Sequence, residues 1–403
     1  MTIVHVMPEI DFKTDNLEDL PERLLQLERE GKKIVPVRYD GGTAWLVVGY
    51  QEIAKILGDD IRVPAGPHYA YEFSSFGKVL LQMEGDEHRI YKAAVSAPFQ
   101  PSVVRKHVDT ILVPLANQLI DDFGEARKVD IYDRFGRRFG LNVISRLLGI
   151  DVTADEERPL SNRLATALQN RDDHAPFEER KRRADKAVAE LNDMIFPLIE
   201  GRRAEPRDDL ISYFVGLSVD GRSLDNEEIA RFLRFLYIGG SDSTGVQINN
   251  VISAILSKPG LKERLLEHPE ERRPVIDELM RLYGVTGMLN RTVIHPLRID
   301  GLDIPVGSRL LMGIPGGNRS PDQFPGADEI NLDHKPARTL GFGRGAHFCL
   351  GTHLAREEIR VAVDQILSRL KNLRLAGQPK KPRGSVFRII PDVIVEFDEI
   401  LSA

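Results

Sequence analysis

The chain has little that would tie it to an oxidising compartment, a membrane or a polyanion. Its 403 residues hold one cysteine, Cys349. That excludes an internal disulfide and leads to the expectation of a cytoplasmic protein. Basic charge is not in excess: 55 Lys and Arg stand against 61 Asp and Glu, a formal net charge of -6, which argues against gripping nucleic acid through its phosphates. No apolar run is long enough to cross a bilayer. The N-terminal MTIVHVMPEIDFKTDNLEDL is broken by His5, Pro8, Glu9 and Asp11 and has no signal-peptide core. Internal repeats and low-complexity stretches are missing too. Aromatic residues are scarce at 7%, so the cluster Tyr69, Tyr71, Phe73 and Phe76 stands out.

What is present starts with a hydrophobic content of 42%, enough for a substantial core. In KIVPVRYDGGTAWLVVGY two apolar stretches flank Asp40-Gly41-Gly42, the signal of a β-hairpin. The segment Val63 to Val79 has no usable period and reads as a loop, either tucked on the surface or forming the wall of an apolar pocket. Amphipathic helical stretches follow over Ser102 to Leu147 and Ala154 to Arg202. Asp225 and Glu228 have capping-box spacing, and Lys258-Pro259-Gly260 is a stop, which predicts one very long helix between them. Tandem Gly239 and Gly240 lie in its middle and cost about 1 kcal/mol each relative to alanine. Something must approach that backbone closely, or the helix must bend. Ile294 to Val306 reads as a short sheet, and NRSPDQFPGADEINLDHKPAR as a long functional meander.

GFGRGAHFCLG, which carries the lone cysteine, leads into the helical GTHLAREEIRVAVDQILSRL. A helix N-terminus favours negative charge and lowers a thiol's pKa. Gly343 and Gly345 permit tight turns, and Gly351 would let another group lie close behind the sulfur. Zinc needs more ligands than Cys349 and His347. A Cys–His hydrolase is open in principle, but Phe342, Phe348 and Leu350 around the nucleophile exclude water. Iron with one axial thiolate needs only this arrangement.

The spacing Phe342-Gly343-x-Gly345-x-His347-x-Cys349-x-Gly351, continued by Leu354-Ala355-Arg356, resembles the haem-binding signature of cytochrome P450. Glu278 and Arg281 in DELMRLY resemble that family's ExxR pair. The resemblance extends from WLVVGY to VIVEF. It implies a mainly α fold with small β-sheets, in a single domain over 1–403. A smaller β-containing part lies near the N-terminus and a larger helical part surrounds haem b. It further implies Cys349 as the iron ligand, with Phe342 and Gly351 beside the cofactor. His347, Arg291 and His88 would contact its propionates. Lys92 stands where the family usually has arginine, so that contact should be looser. His334, or Arg338 close by, would complete the Glu278–Arg281 network.

GGSDSTG corresponds to the family's distal-helix stretch. Gly239 and Gly240 would form the dioxygen groove, Asp242 would be the acid and Ser243 the proton-delivering alcohol, with Thr244 next to it. Adjacent helical residues diverge by about 100°, so Ser243 and Thr244 cannot both face the haem. The hydroxyls' alternative is to bond carbonyls one turn back. The implied activity is insertion of one oxygen atom of O2 into an apolar substrate. Electrons would come from a ferredoxin or flavodoxin with its NAD(P)H reductase, serving a soluble monomer. The alternatives are a peroxide-driven peroxygenase and a non-catalytic haem protein. Tyr69, Tyr71, Phe73, Phe76, Phe235, Ile238, Gly239, Gly287, Met288, Leu289, Val386 and Phe387 would line the substrate pocket. Arg89, Lys92, Arg344, Arg356 and Arg360 would form a cationic face for the electron donor.

Overall fold

Asp40 and Gly41 take positive φ angles of 49° and 75°, and the chain reverses on them. The computed structural model, which describes residues 10–168, 175–332 and 339–403, thus contains the expected hairpin. Its strands β1 (Ile34–Tyr39) and β2 (Gly42–Val47) pair antiparallel. They join β3 (Met288–Thr292) and β4 (Arg309–Gly313) in the order β1-β2-β4-β3, with β2 and β4 parallel. Half of this sheet therefore comes from late in the chain. The β-containing part is not confined to the N-terminal region, because β4 closes back onto the hairpin across more than 250 residues of sequence.

Most of the remaining described chain is helical. The helices that build the site are α1 (Gly66–Glu72), α2 (Gly85–Val95), α3 (Arg137–Leu148), α4 (Ala154–Ala167), α5 (Phe177–Ala204), α6 (Asn226–Ser257), α7 (Arg272–Leu282) and α8 (Thr352–Arg369). Helix α1 lies in the segment read as a loop. Pro67 in its first turn needs no hydrogen-bond donor there, and Tyr69 and Phe73 bury their rings one turn apart. The long helix α6 has the limits expected. The Asp225 carboxylate accepts from the Glu228 N–H at 2.8 Å, and Glu228 accepts from the Asp225 N–H at 2.9 Å.

Helix α6 crosses α3 with backbones almost touching. A Cβ on Gly136 would lie 2.7 Å from the Gly245 carbonyl oxygen, and one on Gly140 would overlap the Ser241 carbonyl. The glycine at 240 is explained in part by the same packing, since a Cβ there would meet Ile144 of α3 at 3.2 Å. Gly239 is different: a Cβ there would touch nothing within 4 Å, and the residue is exposed although Ile238 beside it is buried. One of the two glycines serves helix packing and the other leaves open space beside the helix.

Glu278 and Arg281 on α7 form a buried, bidentate ion pair (2.9 and 2.7 Å). Arg281 also donates to the carbonyls of Asn318, Ala327 and Glu329 at 2.9, 2.7 and 3.0 Å. Its guanidinium lies 4.8 Å from the centre of the Phe324 ring. Glu278 accepts from the Asn331 N–H at 3.2 Å. Main-chain groups thus close the network among the described residues, and His334 and Arg338 lie outside them. Among the described residues no helix is long and apolar enough to cross a membrane.

Lysine at 281 would offer three donors without the planar fork. Arg281→Lys is expected to lower stability by about 3 kcal/mol, because at least two of the five buried acceptors lose their donor at about 1–3 kcal/mol each. Thermal unfolding of the purified protein checks this, and an unchanged Tm would contradict it.

Candidate haem site

The cysteine loop is wound by two short 3-10 turns, Leu340–Phe342 and Gly345–His347. Gly343 and Gly345 both adopt φ of 71°, a conformation that costs other residues strain. Gly345 also has no room for a side chain, since its Cβ would lie 2.7 Å from the Leu57 carbonyl oxygen. The loop closes with the Cys349 N–H donating to the Phe342 carbonyl at 2.9 Å. At its start the Leu340 N–H donates to the Asn318 side-chain oxygen at 2.8 Å. Gly351 departs from expectation: its φ is −84°, and a Cβ there would meet nothing within 4 Å. No protein group lies close behind it.

Cys349 is exposed although protein surrounds it on nearly every side. Burial pushes its thiol above the ordinary range, against the opposing pull of the Gly351 N–H and the Lys92 ammonium. The helix N-terminus alone therefore does not produce the lowered pKa expected. A cation bound at the sulfur would, because a coordinating thiol is deprotonated outright.

Beside this loop, Arg291 on β3 has a buried Nε without an acceptor, and His347 has a buried Nδ1 without a partner. Buried donors left unmade cost about 1–3 kcal/mol each. His88 on α2 packs against His347 with ring centres 4.2 Å apart. Burial, then His347 and Lys92, lower His88 to about 4, so it is neutral at physiological pH. These donors fit a ligand that brings carboxylates, as the haem propionates would. Lys92 behaves otherwise: its ammonium donates to the carbonyls of Ala346 and, at 2.8 Å, Phe348. It braces the cysteine loop.

On α6, the Ser243 hydroxyl donates to the Gly239 carbonyl one turn back at 2.9 Å. Thr244 is buried and hydrogen-bonds Glu358 of α8. Ser243 and Thr244 both border a cavity of about 50 Å³ that also touches Gln247, Thr286, Phe342 and Ala355. Asp242 turns to yet another side, where its carboxylate accepts from the Tyr132 phenol at 2.7 Å. Burial raises the Asp242 pKa, while Tyr132 and Arg137 oppose the shift.

Of the expected pocket residues, Tyr69, Phe73, Phe76 and Phe235 form one aromatic cluster with centroid distances of 5.4 to 5.9 Å. Ile238 is buried in the same helical core. Gly287 donates to the Val386 carbonyl at 2.8 Å, and Phe387 bridges to Thr286. Leu289 and Met288 point to opposite faces of β3: Leu289 packs with Val47, Leu310 and Leu340 and reaches the cysteine loop at Gly343, whereas Met288 is buried with Ile10 and Leu24. Strand alternation removes Met288 from the pocket. Tyr71 is also outside it, 37% exposed and stacked on Phe177 at 4.3 Å.

The expected cationic face is largely neutralised. Arg89 pairs with Asp86 (3.0 Å), Arg356 with Asp277 (2.6 Å), and Arg360 with Glu357 and Asp364 (2.8 Å each). Arg344 donates to the Tyr50 phenol at 2.6 Å. Two of these arginines have acids one helical turn away, a spacing visible in the sequence.

Comparison with known proteins fits this geometry. The family model described as Cytochrome P450 matches residues 273–393. The mycinamicin IV hydroxylase/epoxidase of Micromonospora griseorubida is 32% identical over 347 residues, covering 83% of this chain and 84% of that one. The chain belongs to the cytochrome P450 family. The polyketide biosynthesis cytochrome P450 PksS of Bacillus subtilis (strain 168) is 30% identical over 83% of this chain and 84% of its own. The solved structure of PksS superposes with a TM-score of 0.84 over 95% of this chain and 97% of that one, at 25% identity. A cytochrome P450 from Chondromyces apiculatus, CYP109Q5, shares the fold with a TM-score of 0.86, at 21% identity over 98% of this chain and 99% of that one. As a P450, the protein binds haem b and is a monooxygenase.

Sequence reasoning missed Glu358, fully surrounded by protein in the middle of α8. Burial pushes its carboxyl up to about 8, against the lowering effect of Thr244. From the ordinary value of 4.5 up to about 8, the unfolded chain gives up this proton while the folded P450 retains it. Stability therefore falls as pH rises through that window and is flat above it. Glu358→Gln is expected to reduce the fall in Tm between about pH 5 and about pH 8, a range set by those two pKa values. Parallel Tm profiles for parent and variant would contradict the assignment.

Proposed function

We propose that Cys349 is the axial iron ligand of a P450 that hydroxylates a C–H bond, or epoxidises a C=C bond, of an apolar organic substrate. The observation that carries this reading is an exposed thiol, enclosed by protein, near the buried, partnerless donors Nε of Arg291 and Nδ1 of His347. Arg291 and His347 would hold the propionates, with His88 packed behind His347 as a neutral partner. Phe342 and Leu350 would keep water from the sulfur. Haem b, when bound, supplies the redox chemistry that activates O2 and transfers one oxygen atom. The protein's part is to fix geometry, exclude water and deliver protons.

Proton delivery falls to α6. Gly239 leaves space beside the helix, and Ser243, held by the Gly239 carbonyl, presents its hydroxyl there. Asp242 is the acid that resupplies it, acting by general acid catalysis. Thr244 is committed to Glu358 and serves the contact between α6 and α8. The aromatic wall of Tyr69, Phe73, Phe76 and Phe235, with Ile238, Gly287, Leu289, Val386 and Phe387, supports an apolar substrate. The names of two relatives, mycinamicin IV hydroxylase/epoxidase and 6-deoxyerythronolide B hydroxylase, support both kinds of oxidation. A ferredoxin or flavodoxin reduced by an NAD(P)H-dependent reductase would supply electrons in the cytoplasm, approaching the face near Cys349. With most arginines there paired, Lys92 and Arg344 are left to attract it.

The test is product formed per NADH consumed, with a surrogate ferredoxin system and O2. NADH-driven product formation is expected, and product formed only from hydrogen peroxide would overturn the reading. In the same assay Ser243→Ala is expected to divert electrons to peroxide, with a loss of product of about 10²-fold. Thr244→Ala should keep coupling but lower Tm, because it leaves Glu358 without its hydrogen bond. Uncoupling by Thr244→Ala and not by Ser243→Ala would mean the two roles are exchanged.

A further inference from the structure

Residues Tyr132–Gly136 form one π-helical turn that runs into α3. Such turns are rare and are often found at functional sites. This one stands against α6, and its position along that helix is set by the near-contact of Gly136 with Gly245 and of Gly140 with Ser241. The packing puts Tyr132 opposite Asp242, and the phenol donates to the carboxylate at 2.7 Å.

The surroundings lead from there to solvent. Arg137, one turn on from Tyr132, is the charged group that acts on Asp242 among the described residues, and its Nη1 is buried without an acceptor. Its Nε donates to Asp133 at 3.3 Å. Asp133 in turn pairs at 2.5 Å with Arg158 of α4, which is 61% exposed. Burial, then Asp242, push the Tyr132 phenol well above its ordinary range, so it remains a donor. Asp242 and Ser243 meanwhile hold separate partners, Tyr132 and the Gly239 carbonyl.

We propose that Tyr132 is the positioning residue of the relay acid, holding the Asp242 carboxyl on the side of α6 where Arg137 and Asp133 connect it to solvent. The inference rests on reading Asp242 and Ser243 as the relay pair. Each transfer moves one proton from Asp242, by way of water, to the Ser243 hydroxyl, whose own proton passes inward, and two such transfers supply the two protons that one turnover consumes as O2 becomes one inserted oxygen atom and one water. Asp242 is left as a carboxylate and regains one proton from water along the Tyr132 side. Tyr132 touches neither substrate nor haem and acts through Asp242.

The experiment is a double-mutant cycle of Tyr132→Phe and Asp242→Asn in the holoenzyme, read by product per NADH and by the infrared band of the Asp242 carboxyl. That band is assigned as the one lost in Asp242→Asn. Tyr132→Phe is expected to shift the band and to lower coupling about tenfold, less than the hundredfold or more of a proton donor itself. It should leave ligand-induced shifts of the haem band unchanged. The double variant should be no worse than Asp242→Asn alone. Tyr132→His, which keeps an N–H donor, should recover part of the coupling and controls for misfolding. An unshifted band, or losses that add in the double variant, would overturn the proposal. If Asp242→Asn itself stays coupled, the relay reading fails. If it uncouples while Tyr132→Phe does not, the role of Tyr132 alone fails.

Discussion

Arg281 directs all five of its N–H donors at five acceptors: both oxygens of Glu278 and the carbonyls of Asn318, Ala327 and Glu329. No water-facing alternative exists for a guanidinium that is 3% exposed. A buried cation of this kind stays in place only when fully satisfied. The segment from Asn318 to Glu329 therefore has to follow the shape of the fork. Asn318 passes that constraint on, since its side-chain oxygen accepts from Leu340 at the start of the cysteine loop. Phe342 then accepts from Cys349. Three hydrogen-bonded steps link a helix-borne ion pair to the position of one sulfur.

The opposite wall is set by contact between backbones. Glycines on α3 and on the π-turn before it let α6 approach until main-chain atoms touch. That fixes where α6 lies along α3. Its three consecutive polar residues then meet three environments: Asp242 the phenol of Tyr132, Ser243 the open side by Gly239, and Thr244 the buried acid of α8. A helix with looser packing could rotate and confuse these roles. Rigid placement of groups that differ only in direction is what a proton relay requires.

Much of this was legible in the sequence where chemistry is local. The cysteine loop, the capping box of α6, the Asp-Gly turn and the Glu278–Arg281 pair are each set by residues a few positions apart. Contacts between distant segments were not. Tyr132 meets Asp242 across 110 positions, and nothing in either stretch announces the other. Resemblance to the family places Tyr71 and Met288 in the pocket, and the turn of α1 and the alternation of β3 send them elsewhere. Some signals were there to be used. Gly136 and Gly140, and Ser241 and Gly245, repeat small residues at one helical turn, the spacing of a close crossing. Glu358 shares the buried face of α8 with Leu354 and Val361, where an ordinary solvated acid does not belong.

Everything in this account turns on the sulfur of Cys349 being bound to iron as a thiolate. The direct measurement is the absorption spectrum of the reduced protein under carbon monoxide, taken for the parent and for Cys349→His. The parent should show the far red-shifted band of thiolate ligation, and the variant should bind haem without it. A Cys349→His protein that kept the band would contradict the assignment outright.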